Sequence, residues 1–293
     1  MTKVSLRQNI ARSLARYRRP TWRQIAALYI RAWRLRRGHV PPLLTVPPRS
    51  ERLVVTLTTI PARAKALAPV LHSLLDQTEP ADRIILNLPP VSRRTGGPYP
   101  DPAGLILPQG VDVLRDADEG PATKFLGALR AEPEALIVVV DDDVIYPPDF
   151  LANLLAAHRA RPDHAVALRG VRLVGGVAFP ALDHVFCSVI AAPEPVDVVF
   201  GTWGYLLPPG LPVTGIADFG GYPEAVRWVD DVWMSGHLAR LGVPRLVVPT
   251  DSFPIETRAA SVQALTDGAN RSGLNDAAAI AAFARYWEGG GGA

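Results

Sequence analysis

From residue 53 onward the hydrophobic pattern switches between two periods. Short, continuously apolar runs read as strands: "LVVTLTTI" (53–60), "RIILNLP" (83–89), "VDVLR" (111–115) and "ALIVVV" (135–140). Between them, "ARAKALAPVLHSLLDQ" (62–77) places Leu67, Val70, Leu71, Leu74 and Leu75 on one helical face, and a second helix is expected over about 122–129. Strands apolar on both faces need cover on both faces. Their alternation with amphipathic helices therefore predicts an α/β fold built on a mainly parallel sheet flanked by helices. In such sheets ligands bind beyond the carboxyl ends of the strands. Further on, "PPDFLANLLAAH" reads as a helix. "DDVWMSGHLARLG" reads as another, with Val232, Leu238 and Leu241 inward and Gly242 closing it before a strand. The stretch "PPVSRRTGGPYPDPAG" is too rich in Gly and Pro to be regular.

The first fifty residues follow a different pattern. Leu6, Ile10, Leu14 and Tyr17 recur at helical spacing, and Pro20 ends that piece. Thr21 with Gln24 forms a capping-box start for a second helix, with Trp22, Ile25, Leu28, Tyr29 and Trp33 on its apolar side. Charge sharpens the contrast. Residues 1–50 carry twelve basic residues and no acid, so +12, which leaves −9 on the rest of a chain whose formal net charge is +3. An arginine-rich helix with Trp and Tyr opposite fits an anionic membrane surface. Packing of the helix on its own acidic body is the competing reading. No base-reading module accompanies the arm, so nucleic acid is not expected as a partner. The expected organisation is a basic helical arm at 1–39, a proline-stiffened linker at 40–50, an α/β body at 51–288 and a flexible tail at 289–293. If extended, "VPPLLTVPP" would hold the body roughly 25 Å away from the arm.

Composition narrows the setting. No apolar run reaches the roughly 18 residues a spanning helix needs, and the start lacks a signal-peptide core, so a cytoplasmic protein attached to the inner face of the membrane is expected. The single cysteine, Cys187, excludes disulfide frameworks and cysteine zinc sites. The excess of arginine over lysine, with much Ala, Gly and Pro, matches a GC-rich bacterial source.

The chemistry concentrates in "VVVDDDVIYPPDF", where three carboxylates follow a buried strand. Burying repelling acids is costly unless a cation compensates. Oxygen ligands without cysteine or a histidine cluster select Mg2+ or Mn2+. In an extended chain Asp141 and Asp143 point to one side and can share the ion, leaving Asp142 to hold a ribose or the loop. Asp230 and Asp231 open the later helix, where one caps it and Asp231 is placed either to cap or to act as a general base. Lys124 follows Gly120-Pro121 at a helix start, a position that suits a phosphate. Arg93 and Arg94 sit in the irregular loop, which could close on donor or acceptor. Trp203, between two glycines, is either a sugar platform or core. His237 lies six residues past Asp231, hence away from it on a helix, and reads as a partly exposed helical histidine.

Together "LVVTLTTIPAR", "GPATKFLGAL", "VVVDDDVIYPPDF" and "VDDVWMSGHLARLG", in this order, resemble the GT-A fold, nucleotide-sugar-dependent glycosyltransferases, close to family 2 and the DXD-containing bacterial enzymes. The resemblance covers about residues 52–250. It implies that Thr58, Thr59 and Arg63 cradle the nucleoside and that Asp141 and Asp143 hold the metal and donor diphosphate. It also implies that Asp230 and Asp231 match a Glu-Asp pair whose Asp is the base of inverting members. Asp in place of Glu at 230 departs from that pattern. Many relatives add a histidine ligand near the C-terminus; none follows His237, which leaves Asn270, Asn275 and Asp276, the latter two equally readable as a helix cap. The implied activity is metal-dependent sugar transfer to an acceptor hydroxyl in cell-surface polysaccharide or glycolipid synthesis. Two alternatives stand beside it. A sugar-1-phosphate nucleotidyltransferase would need a glycine-rich first loop, and "TLTTIPARAKAL" has no glycine. A catalytically silent membrane-docked binding protein would have no need of the five acids at 141–143, 230 and 231.

Overall fold

The computed structural model describes residues 20–39, 41, 48–173, 182–257, 259 and 274–287. The expected helix over Leu6–Tyr17, most of the linker, Asn270 and the glycine tail lie outside them. The strands are β1 (Leu53–Thr58), β2 (Arg83–Asn87), β3 (Val111–Leu114), β4 (Leu136–Val139), β5 (Val144–Ile145), β6 (Ala165–Ala167) and β7 (Arg169–Leu173). They continue with β8 (Leu182–Phe186), β9 (Glu194–Pro195), β10 (Val198–Val199), β11 (Tyr205–Leu207), β12 (Arg245–Val247) and β13 (Ile255–Glu256). The helices are α1 (Trp22–Arg36), α2 (Ala68–Leu75), α3 (Thr123–Ala131), α4 (Phe150–Ala160), α5 (Val213–Ala217), α6 (Asp230–Arg240), α7 (Leu274–Ala282) and α8 (Ala284–Trp287).

Eight strands form one sheet in the order β3-β2-β1-β4-β11-β6-β12-β9. The first four are mutually parallel, with Val55 opposite Ile84 on one side and Val138 on the other. β11 then runs antiparallel between β4 and β6, β12 is parallel to β6, and β9 closes the edge antiparallel. The result is the mixed, mainly parallel sheet that the apolar runs predict. Every residue of β4 is buried, as expected of a central strand covered on both faces. A two-stranded pairing of β5 with β13 backs the segment that follows the three aspartates.

The predicted helix at 62–77 is shorter than its pattern. Pro69 is compatible only with a first helical turn, so α2 starts at Ala68 and residues 64–66 form a separate tight turn. That turn brings Arg63 back over the end of β1. Of the face expected inward on α6, Val232 and Leu238 are buried, whereas Leu241 lies past the helix end and is exposed.

α1 corrects the reading of the arm. Its capping box is present as expected, with Thr21 and Gln24 bonded reciprocally. The single apolar side, however, divides in two. Leu28, Ala32 and Leu35 are buried against the body, while Trp22, Tyr29 and Trp33 face outward. Arg31 fixes the docking by an ion pair to Asp76 (2.8 Å) and hydrogen bonds to the carbonyls of Tyr146, Ser73 and Asp76. Arg36 donates to the carbonyl of Glu256 on β13. The helix is therefore packed on the body and not held about 25 Å from it. Aliphatic positions 28, 32 and 35 are buried, whereas the aromatic ones at 22, 29 and 33 stay exposed.

Candidate active site

Beyond the carboxyl ends of β1 and β4 lies a cleft of about 270 Å3, closed by the start of α6 and the turn before α3. This is where a parallel α/β sheet places ligands. Thr58, Thr59, Arg63, Lys124, all three acids of 141–143, and both Asp230 and Asp231 line it. Residues up to 173 positions apart thus meet in one cavity, as the sequence reading requires.

The three aspartates occupy the turn between β4 and β5 and have different partners. Asp142 is buried, accepting from Thr59 Oγ1 (2.5 Å) and Arg63 Nη1 (2.9 Å). Of the two roles open to it, the contacts made here are those of holding the loop after β1. Arg63 Nη1 also reaches Asp143 Oδ2 at 2.8 Å. Asp141 accepts from Lys124 Nζ (3.0 Å), and its backbone N–H donates to the Tyr146 hydroxyl (2.9 Å). The side chains of Asp141 and Asp143 remain 23% and 19% exposed, toward the cleft. Burial, reinforced by Asp141 and Asp142, pushes the Asp143 carboxyl up to about 7.

Lys124 is a buried hub. Its ammonium lies 3.0 Å from Asp141, 2.7 Å from Asp230 and 3.5 Å from Asp231. Burial disfavours the charge, but the three acids outweigh it and hold the ammonium well above its ordinary range. It stands in the first turn of α3, as expected, and is buried there rather than exposed. Asp231 Oδ1 accepts from the Gly201 amide at 2.9 Å, and a fifth of the side chain stays open to the cleft. Burial first, then Asp230 and Asp141, raise its carboxyl to about 7, against the pull of Lys124.

The sequence reading misses, among others, three residues that shape the site. Gly201 brings its backbone so close that a Cβ would stand 2.4 Å from Lys124 Nζ and 3.1 Å from Asp231 Oδ1. Trp228, two residues before the acid pair, lines the cleft. Arg31 grips the carbonyl of Tyr146, whose hydroxyl holds Asp141, although it lies 110 positions away in sequence.

Other candidates stand elsewhere. Trp203 does not reach the cleft: it is buried between Phe186 and Phe253 with a left-handed backbone, φ +85°, and its neighbour Thr202 lines the cavity instead. A large apolar ring among aromatic neighbours is worth more in the core. Arg94 lines the cleft, whereas Arg93 is exposed and contributes its backbone N–H to Asp118. His237 is fully buried between Trp233 and Phe283 rather than partly exposed, and burial lowers it to about 4. Asn275 and Asp276 lie in the first turn of α7.

Among the described residues no set of three or more His, Cys, Asp or Glu side chains has the geometry of a metal cage. Asp141 and Asp143 nonetheless offer hard oxygens to the cleft, where both side chains stay partly exposed. That donor set fits an Mg2+ or Mn2+ ion bound by two carboxylates and completed by diphosphate and water.

The sheet is open, with a 3-2-1-4 parallel half, and the acidic cleft lies at its switch point. No family description and no curated protein matches the sequence. Solved structures match the fold. The mannosyltransferase PcManGT from Pyrobaculum calidifontis, in complex with GDP-Man and Mn2+, superposes with a TM-score of 0.51 at 17% identity. The match covers 90% of this chain and 73% of that one. GalNAc-T7 with UDP, GalNAc and Mn2+ gives 0.50 at 14% identity, over 85% of this chain and 52% of that one. A 4-diphosphocytidyl-2C-methyl-D-erythritol synthase superposes more loosely, at 0.44. The chain has a GT-A glycosyltransferase fold.

Proposed function

We propose that this chain is a divalent-cation-dependent glycosyltransferase that moves a sugar from a nucleoside-diphosphate sugar to an acceptor hydroxyl with inversion. The observation that carries this reading is the convergence of Asp141–Asp143 with Asp230–Asp231 around buried Lys124, in one cleft of a GT-A fold. Thr58, Thr59 and Arg63 form the nucleoside side of the cleft, with Trp228 and Arg94 on its walls. Asp141 and Asp143 would hold Mn2+ or Mg2+, which would supply neutralisation of the charge developing on the leaving diphosphate. Lys124 keeps the facing acids from repelling one another. Asp231 accepts the proton of the acceptor hydroxyl as its oxygen bonds to the anomeric carbon and the bond from that carbon to the diphosphate breaks. A carboxyl raised to about 7 is matched to that task near neutral pH. Asp230, buried on the lysine, positions the pair. The acceptor is assigned to a saccharide or lipid-linked saccharide of the cell surface, and the basic arm to peripheral attachment at the inner face of the membrane.

The test is binding. Mn2+ with the matching nucleoside diphosphate, found by screening a panel, should raise the melting temperature, because a ligand of the native state stabilises it. Asp143→Asn should fold and lose the cation-dependent part. Undiminished Mn2+-dependent binding by that variant, measured by calorimetry, would end the metal assignment.

A further inference from the structure

The outer face of α1 is a second surface with its own chemistry. Trp22, Tyr29, Ile30 and Trp33 are 78%, 49%, 52% and 55% exposed and, with exposed Ala26, fall along one stripe of the helix. The opposite stripe, Leu28, Ala32 and Leu35, is spent on the body. Exposed Arg23 and Arg34 border the outer stripe on one side and Arg36 on the other, and the Arg37 guanidinium lies 5.2 Å over the Trp33 ring. Two tryptophans, a tyrosine and an isoleucine rimmed by arginines match the boundary between lipid headgroups and acyl chains.

We propose that this docked helix seats its Trp22–Trp33 stripe in an anionic lipid surface, so that the bilayer is met by a rigid face of the body and not by a tethered arm. Charge chooses lipid over the other occupants. Residues 1–19 carry Lys3 and five arginines with no acid, so they repel the arginine rim. A second copy presenting the same helix would bring like charge against like. An anionic bilayer brings the opposite sign. The inference rests on the membrane attachment proposed for the arm, and narrows it to one face.

The experiment uses the full chain with vesicles of phosphatidylcholine alone or with phosphatidylglycerol added. The wild type should sediment with the anionic vesicles and only weakly with neutral ones. Its tryptophan emission should shift to the blue: Trp203, Trp233 and Trp287 are already buried and Trp228 lines the cleft away from the stripe, so the response falls to Trp22 and Trp33. A triple variant, Trp22→Ser, Ile30→Ser and Trp33→Ser, should melt at the wild-type temperature and partition at least about tenfold more weakly. Absence of wild-type sedimentation overturns both the attachment and the face. Sedimentation that the triple variant retains overturns the face alone, leaving attachment by charge. A lowered melting temperature in the variant would show the stripe covered by its own chain. A wild-type dimer dispersed by the variant, seen by light scattering, would show a second copy there. Either result overturns the proposal.

Discussion

Asp231 combines a fixed position with a displaced proton affinity. The Gly201 amide orients one oxygen, and burial among acids raises the carboxyl to about 7. Asp231→Asn keeps the shape and the amide contact but cannot take a proton. Transfer should fall by about 10^2-fold or more while donor binding stays nearly intact. In the wild type the rate should climb as pH passes about 7, and that limb should vanish in the variant. A larger loss in Asp230→Asn would move the base to its neighbour. Gly201 gives an independent residue-scale test. Gly201→Ala forces a methyl to 2.4 Å from Lys124 Nζ, so the hub must shift and steady-state transfer should drop. Gly104→Ala, with open space around it, should leave the rate unchanged.

At the scale of elements, α1 and the acid turn are mechanically joined. Arg31 bonds the Tyr146 carbonyl, the Tyr146 hydroxyl accepts from the Asp141 amide, and Arg36 holds the β13 strand that pairs with β5. Arg31→Met leaves carbonyls of Ser73, Asp76 and Tyr146 without this donor, at a cost of about 1–3 kcal/mol for each buried group left unpaired. The melting temperature should fall, and so should Mn2+-dependent nucleoside-diphosphate affinity, with Arg31→Lys restoring only part of either. Arg23→Met, on the outer face, should change neither. If calorimetry shows unaltered affinity in Arg31→Met, the helix does not brace the turn.

At the scale of the whole molecule, two sets of groups give stability opposite pH slopes. Asp143 and Asp231 are raised to about 7 from an ordinary value of about 3.9, so the native chain retains protons that the unfolded chain releases. Their contribution is complete below about 4 and is lost as pH rises to about 7. His237, held near 4 by burial, acts in reverse: its contribution is complete above about 6.5 and fades as pH falls toward 4. Between about pH 6.5 and 8 only the acids still change, and without divalent cation the melting temperature should decline. Mn2+ should recover more at pH 8 than at pH 6, since it takes the ionised carboxylates. Asp143→Asn should flatten the decline, as scanning fluorimetry across pH would show. Equal slopes in wild type and variant would place the loss elsewhere.

Periodicity alone determined the strands near 53, 83, 111 and 136 and the presence of a helix after the first and third of them, and the acid turn is legible because β4 is apolar throughout and only Val140 separates it from Asp141. Local chemistry also sufficed for the Thr21–Gln24 cap, whose partners are three residues apart. What needed the tertiary structure is whatever depends on partners distant in sequence. Lys124 reads as a phosphate-facing cation at a helix start, and only the fold shows Asp230 and Asp231 beside it from more than 100 positions away. Trp203 reads equally as platform or core until Phe186 and Phe253 enclose it. The stripe of α1 that meets the body and the stripe that does not are both apolar, and periodicity cannot separate them. Only the fit of Leu28, Ala32 and Leu35 to the body, pinned by Arg31, decided which was which.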